Sequence, residues 1–552
     1  MYWQPPGCLG RAKGSYGPPL LLLACVLLVA CALLGASVAN AQEKDPAAPA
    51  PNGTYRRPLG NDPVTMDPAR INNIYSLSVT HQIFDGLVRF DHTLTISPAL
   101  AQHWRSSRDG LTWTFTLRKG VKFHHGREVT AEDVVYSLTR ILDPKTKSGA
   151  ADLFTSIKGA QEFAKGRART VAGLSAVDRH TVQVTLTEAL TPLVSVLAVG
   201  HARIVPKDLV EQHGDAFGSH PVGTGPFKFQ RWDRGKEIVL VANTESFEGP
   251  PRLARLIYRI FPGEASDQIC HEFEQGNLEE TSVAPACRNR IGDPRYQYVR
   301  RPTFTVRFYG LNTRIKPLND ARVRQAIAHA LDRDTIIQEI FLGQHQLARG
   351  IFPPGMPGYN PQLKTADYNL ARARALLREA GFPAGRGLPA IELWSAARSE
   401  RVQSEMASVK RQLAAVGIPV EVQYETDWPT FSQRLAERKL PMFVYAWHAD
   451  VPDPDNFLFK LFHSQSPRNL TGYANPVVDD LLFHARRERD PLKRMDIYRR
   501  AEQIVVDEVP VVPIWHYTYE RLFQSYVKNV EVNGLGDAYL PLRKLWLEPV
   551  RR

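Results

Sequence analysis

Between Asn319 and Val506 two hydrophobic periods alternate, and this alternation restricts the fold more than any other feature of the chain. Val402, Met406, Val409, Leu413 and Val416 fall at steps of 4, 3, 4 and 3, which puts all five on one helical face, and Gly417 follows as a stop. Directly afterwards Ile418, Val420, Val422 and Tyr424 occupy every second position, the period of a strand. Asp320 can cap a helix bearing Val323, Ile327, Ala330 and Leu331, while Leu370, Ala373, Leu377 and Ala380 mark another that ends at Gly381. Met442 to Trp447 reads as a short apolar strand. Interleaving of this kind predicts an α/β lobe.

The N-terminal half is richer in strand and turn signals. Leu111, Trp113, Phe115 and Leu117 alternate with Thr112, Thr114, Thr116 and Arg118, and Val182, Val184 and Leu186 repeat the pattern. No repeat period is present. A chain of 552 residues suits two or three domains with cores of their own, and two lobes of unlike composition predict a ligand cleft between them. Hydrophobic residues at 43% and charged residues at 23% exclude both a disordered chain and a multi-span membrane protein. The net charge of +12 is spread along the chain rather than gathered into a basic tail, so it describes a solvated surface and predicts no nucleic-acid partner.

The first forty residues have the form of a leader. Arg11 and Lys13 precede the uncharged run Leu20 to Ala36, and Ser37-Val38-Ala39-Asn40-Ala41 supplies an Ala-x-Ala cleavage site. The run is shorter than the roughly 20 residues needed to span a bilayer, so residues 1–41 are expected to be a removable signal peptide and the mature protein periplasmic. Leu28-Val29-Ala30-Cys31 offers the alternative of a lipoprotein anchored through Cys31. Residues 42–53, rich in Ala, Pro, Glu and Lys, read as a flexible tether. Outside the leader only Cys270 and Cys287 remain. An oxidising compartment favours a disulfide between them, with two buried free thiols as the alternative.

The familiar chemical motifs are missing. No GxxxxGK[ST], GxSxG, HExxH or EF-hand loop occurs, and no CxxC. Gly223-Thr224-Gly225-Pro226 lacks the Lys-Ser/Thr of a phosphate loop and reads as a turn into a strand from Phe227. His124 and His125 are adjacent in an extended segment, where side chains point apart, so they do not read as a metal pair. Asp450, Asp453 and Asp455 cluster among Pro452 and Pro454. That cluster admits a calcium site, an acid/base pair, or a carboxylate awaiting a cationic ligand group.

The segment from Trp104 to Ser137, WRSSRDGLTWTFTLRKGVKFHHGREVTAEDVVYS, closely resembles the signature of bacterial family 5 solute-binding proteins, the dipeptide and oligopeptide receptors of ABC importers. Gln82 to Leu87, Ile204 to Lys207, Gly223 to Phe227, Leu311 to Thr313 with Val323 to Ala326, and Pro510 to Ile514 match in the family's order, so the similarity runs from about residue 54 to the C-terminus. The resemblance implies a two-lobed α/β periplasmic-binding-protein fold of type II with an extra subdomain in the N-terminal lobe. On this chain lobe I would hold 54–302 and 520–552, with the subdomain at about 93–211, and lobe II would hold 303–519. The chain would then cross between lobes twice, as a hinge requires.

In the peptide-binding members an Asp within Trp-x-x-Asp pairs with the ligand's α-ammonium, and Trp447-His448-Ala449-Asp450 matches that segment. A buried ammonium needs a carboxylate, whereas peptide backbone is held by hydrogen bonds blind to side chains. Dipeptide receptors of this type use an Arg some fifty residues earlier for the ligand carboxylate. Arg398 and Arg401 lie near that place without its surrounding motif. The expected ligand-binding set is therefore Asp450, Trp447, Tyr445, Arg398, Arg401, Tyr75 and Ser76. The resemblance implies a monomeric receptor, without cofactor or metal, that delivers short peptides to an inner-membrane permease and performs no chemistry. The same fold could instead bind a nickel chelate, haem, opine or sugar, and an extracellular hydrolase using Asp453 and Asp455 is the remote alternative.

Overall fold

Two long strands, Tyr296–Leu311 and Val511–Gln524, run antiparallel to one another from Tyr296 opposite Gln524 to Gly310 opposite Val511. Their pairing is broken between Pro302 and Val306, where Thr303, Phe304 and Thr305 stand against Tyr517 alone, and again between Arg307 and Phe308. Extra residues on one strand bend it and sharpen its twist. The computed structural model describes residues 53–549 apart from 72 and 264. The expected signal peptide at 1–41, the lipid-attachment Cys31 and all but the last residue of the tether lie outside the described residues.

The long pair forms the spine of a seven-stranded mixed sheet. Its order is Glu280–Ser282, Val511–Gln524, Tyr296–Leu311, Met442–His448, Ile391–Ser395 and Val420–Tyr424, with Gln346–Leu347 added beside Val511–Gln524. The Met442–His448 strand is apolar at nearly every position because both faces are covered. Met442 and Val444 enter one core, with Tyr309, Leu393 and Trp515, while Phe443 and Trp447 enter the other, with Phe308, Phe457 and Tyr498.

Most elements expected in this half are present, with shifted ends. The helix over Glu400–Ala414 buries Met406, Val409 and Leu413, and its Ser399 cap accepts a hydrogen bond from the Val402 N–H. It stops before Val416, and Gly417 takes the positive φ of +89° that turns the chain. Its neighbour strand starts at Val420 rather than Ile418, which is fully buried ahead of it. Asp320 caps Ala321–Ala330 through the Arg322 N–H, and Asn369 caps Leu370–Glu379.

Earlier residues build two four-stranded sheets. One pairs Thr54–Leu59 in parallel with Arg255–Ile260 and continues antiparallel through Glu237–Ala242 to Phe227–Asp233. The other is antiparallel, in the order Ala101–Ser106, Thr112–Leu117, Thr181–Thr185 and Leu174–Asp178, and the amphipathic helix Ala131–Leu142 shares its core. Gly223 and Gly225 explain the glycine-rich turn without a phosphate. A Cβ on either would stand 2.1 or 2.7 Å from the Ile83 carbonyl oxygen, so the turn needs glycine to press against the end of the helix Ile74–Ile83.

Cys270, on the helix Ser266–Glu274, and Cys287 form a disulfide with Cα atoms 5.6 Å apart, inside the small core around Phe273 and Leu522. Among the described residues no helix is long and apolar enough to cross a membrane.

Candidate functional site

A cavity of about 320 Å³ lies where the N-terminal segment, the Met442–His448 strand end and the C-terminal segment meet. Leu77, Asp152 and His201 come from the first, Tyr445 to Asp450 from the second, and Tyr539 from the third. Strand periodicity arranges the central wall. Tyr445 and Trp447 project on the same side, and the chain leaves the sheet just beyond them to present Asp450.

Tyr445 is half-buried and stacks within an aromatic row, 5.9 Å from Phe308 and 6.4 Å from Trp428 between ring centroids. Trp447 is almost wholly buried, and its indole N–H has no hydrogen-bond partner among the described residues. His201 donates from Nε2 to the Ile71 carbonyl at 2.9 Å, and burial pushes its imidazole below the ordinary value, so it is a neutral wall.

The three clustered carboxylates have different fates. Asp453 is buried in a bidentate pair with Arg494, at 2.7 and 2.9 Å. Asp455 accepts from the Tyr498 hydroxyl at 3.1 Å and lies 3.3 Å from Arg486, and burial raises its pKa. These two tie the loop to the helix Pro491–Glu508 and to the end of the helix Pro476–Ala485. Asp450 alone is exposed, and no cation lies within salt-bridge distance of it among the described residues. Its only side-chain partner there is the Asn456 amide at 3.2 Å. Nowhere among the described residues do three or more His, Cys, Asp or Glu side chains gather as metal ligands.

Of the expected ligand-binding residues, Tyr445, Trp447 and Asp450 come together here. Arg398 is exposed with its guanidinium 5.4 Å from the Tyr424 ring, and Arg401 lies over Phe341 at 5.7 Å and reaches Gln344, so neither lines the cavity. Ser76 is fully buried one residue before Leu77, which does line it, and Tyr75 packs against the core beneath the parallel-edged sheet. The cations that do line the cavity are Lys460 and Arg468. Lys460 is held by Asp152 at 2.6 Å, whereas the exposed Arg468 has no carboxylate within 4 Å among the described residues. Sequence reasoning passed over Arg468 because Ser466-Pro467-Arg468 carries no motif, and only the folded loop brings it beside Tyr445.

The model of bacterial extracellular solute-binding proteins, family 5, matches residues 95–469. The chain is 29% identical over 487 residues to Di/tripeptide-binding protein 2 of Pseudomonas aeruginosa, covering 85% of this chain and 90% of that one. It is 30% identical over 481 residues to the Dipeptide-binding protein of Escherichia coli, covering 82% and 87%. The fold superimposes on the periplasmic binding protein DppA of Helicobacter pylori in complex with the peptide STSA, at 29% identity and a TM-score of 0.73, covering 90% of this chain and 98% of that one. The two-lobed type II architecture is thus common to both folds.

Proposed function

Because this chain belongs to the bacterial extracellular solute-binding proteins of family 5, we propose that it is the exported receptor of an ABC importer, binding short peptides between two lobes and passing them intact to a membrane permease. The observation that carries this reading is Asp450, an unpaired carboxylate at the mouth of a cavity whose walls come from both halves of the chain. An α-ammonium placed there gains a charge-assisted hydrogen bond, and that gain exceeds what a neutral solute could draw from the same group. Of the two cations lining this cavity, Arg468 is the one with no carboxylate within ion-pair distance among the described residues, so it can face a negative group of the ligand. The names of the relatives support a di- or tripeptide as ligand.

The lobes are assigned to 54–302 with 520–552 and to 303–519, with the subdomain at about 93–211. The bulge at Thr303 to Thr305 supports placing the hinge there, since a break in ladder pairing is where two long strands bend most readily. Contacts that reach across support closure: Glu188 pairs with Arg486 and Arg487, and Lys460 pairs with Asp152. The internal pairing of Asp453 and Asp455 favours a receptor over a hydrolase. The receptor acts in the periplasm as a monomer.

Titration calorimetry with a set of di- and tripeptides, followed by mass spectrometry of the recovered ligand, tests the proposal. Saturable binding with every peptide recovered unchanged is the expected result. Cleaved peptide, or no binding by any free-amine peptide, overturns it.

A further inference from the structure

Tyr539 separates the cleft from a second and larger cavity of about 420 Å³, which it also lines. Its phenol feels the charges on both sides, Arg203 and Asp450 alike, so the two spaces adjoin across one ring. The wall of the second cavity carries four cationic side chains, Arg89, Arg203, Arg543 and Lys544, and three carboxylates, Asp85, Asp91 and Glu248. Three of the cations are already matched. Arg89 and Arg543 share Glu248, and Lys544 holds Glu531.

Arg203 is different. It is 4% exposed, yet no carboxylate oxygen lies within 4 Å of it among the described residues. Its Nη2 donates to Nδ1 of His81 at 2.8 Å, and its Nε is buried with no hydrogen-bond partner among the described residues. His81 meets it as a neutral acceptor, since burial and the nearby guanidinium groups hold that imidazole well below its ordinary range. Asp85 attracts Arg203 only from beyond ion-pair distance, and its Oδ2 is taken by the Thr224 hydroxyl at 2.9 Å. A guanidinium does not lose its proton to escape burial. A buried, always-charged fork with an unused donor is costly unless an anion completes it.

We propose that this cavity takes a carboxylate of the bound ligand, with Arg203 as its ion-pair partner, so that the receptor selects peptides bearing an acidic group beyond the Tyr539 ring. The ligand class rests on the peptide reading above, while the anion site rests on Arg203 alone. The carboxylate comes either from the peptide's C-terminus or from an acidic side chain.

The test uses the full-length protein and its Arg203→Met variant, with glutarate and its neutral diamide as probes. Glutarate should raise the melting midpoint of wild type more than the diamide does, and that excess should vanish in Arg203→Met. Unliganded Arg203→Met should melt no lower than wild type, because an unmatched buried charge has been removed. In the peptide arm, Ala-Glu-Ala is compared with Ala-Gln-Ala, and Ala-Ala-Ala with its C-terminal amide. Arg203→Met should lose about 30-fold or more in affinity for the peptide whose carboxylate reaches the cavity, and little for its neutral counterpart. The pair that responds identifies the source of the carboxylate.

A glutarate excess equal in wild type and variant overturns the site, whatever the peptides do. Failure of every peptide to bind wild type, with the glutarate difference intact, overturns the peptide reading and leaves the anion site standing. Should Arg203→Met not fold, Arg203→Lys keeps the charge and should retain a weakened glutarate effect. Loss of folding in both variants makes Arg203 a structural residue and overturns the proposal.

Discussion

Asn456 grips Asp450 at two points. Its Oδ1 accepts the Asp450 backbone N–H at 3.1 Å, and its Nδ2 donates to Oδ2 of the same residue at 3.2 Å. The carboxylate is thereby oriented while Oδ1 stays without a partner among the described residues. Asn456 is itself buried, so the exposed anion stands on a rigid support.

Asp450→Asn keeps an oxygen for Asn456 and removes only the charge. It should change stability by no more than about 0.5 kcal/mol, as exposed positions do. Affinity for free-amine peptides should fall by about 2 to 5 kcal/mol, roughly 30- to 5,000-fold. N-acetylated peptides should bind wild type poorly and lose little more in the variant. Calorimetry and thermal melts on the same preparation decide the matter, and unaltered free-amine affinity rules the anchor out.

Asp453→Ala should behave in the opposite way. It leaves the buried Arg494 guanidinium hydrogen-bonded, among the described residues, to Tyr498 and the Ala485 carbonyl, with the Asp455 carboxylate attracting it from farther off. Breaking such a pair from one side costs about 3 to 5 kcal/mol. Urea unfolding should register that loss, while the folded fraction retains its affinity. A variant as stable as wild type shows that the pair contributes little.

Glu502 sets a pH dependence. It is 1% exposed, its Oε1 accepts the Ile351 and Phe352 N–H groups, and burial raises its pKa to about 7. In the unfolded chain the value is about 4.3. The native state thus retains a proton that the unfolded chain has released, so this stabilisation is complete below the unfolded value and is lost as pH rises through the folded one. Relative to Glu502→Gln, wild type should lose on the order of 3 kcal/mol between about pH 4 and pH 8. Parallel pH profiles for the two proteins sink this expectation.

The Cys270–Cys287 bridge spans 17 residues. Restricting a loop of that size in the unfolded chain is worth about 3 kcal/mol. The Cys270→Ala/Cys287→Ala double variant should unfold at correspondingly lower urea, and reductant should affect wild type only. Two thiols titrating in denatured, unreduced protein from the periplasm contradict the bridge.

Ligand should close the lobes about the Thr303 to Thr305 bulge. At about 100 times its dissociation constant a peptide should add roughly 2.7 kcal/mol of stability. Small-angle scattering should show compaction at saturation, and Glu188→Ala should weaken it by removing the partner of Arg486 and Arg487. An unchanged scattering curve removes the closure claim.

What can be read along the chain is what depends on near neighbours. Helical and strand periods located Glu400–Ala414, Ala321–Ala330 and Met442–His448 because each must cover an apolar face within a few residues of itself. The signature from Trp104 to Ser137 carried the family, and the Trp447-x-x-Asp450 segment pointed to one end of the candidate site. Helix ends slipped by one or two residues, since the final turn answers to tertiary contacts and not to periodicity.

Charge pairing was out of reach of that reasoning. Asp450, Asp453 and Asp455 are equivalent as letters, and only the approach of Arg494 and Arg486 from later helices separates two structural carboxylates from the unpaired one. Arg398 and Arg401 had the right distance in sequence but settled over Tyr424 and Phe341, while Arg468 and Arg203, with no motif about them, came to line the two cavities. A local hydrophobic pattern determines which element forms. Whether a charge is matched depends on partners scores or hundreds of residues away, and the burial that makes an unmatched charge significant exists only once the chain has folded.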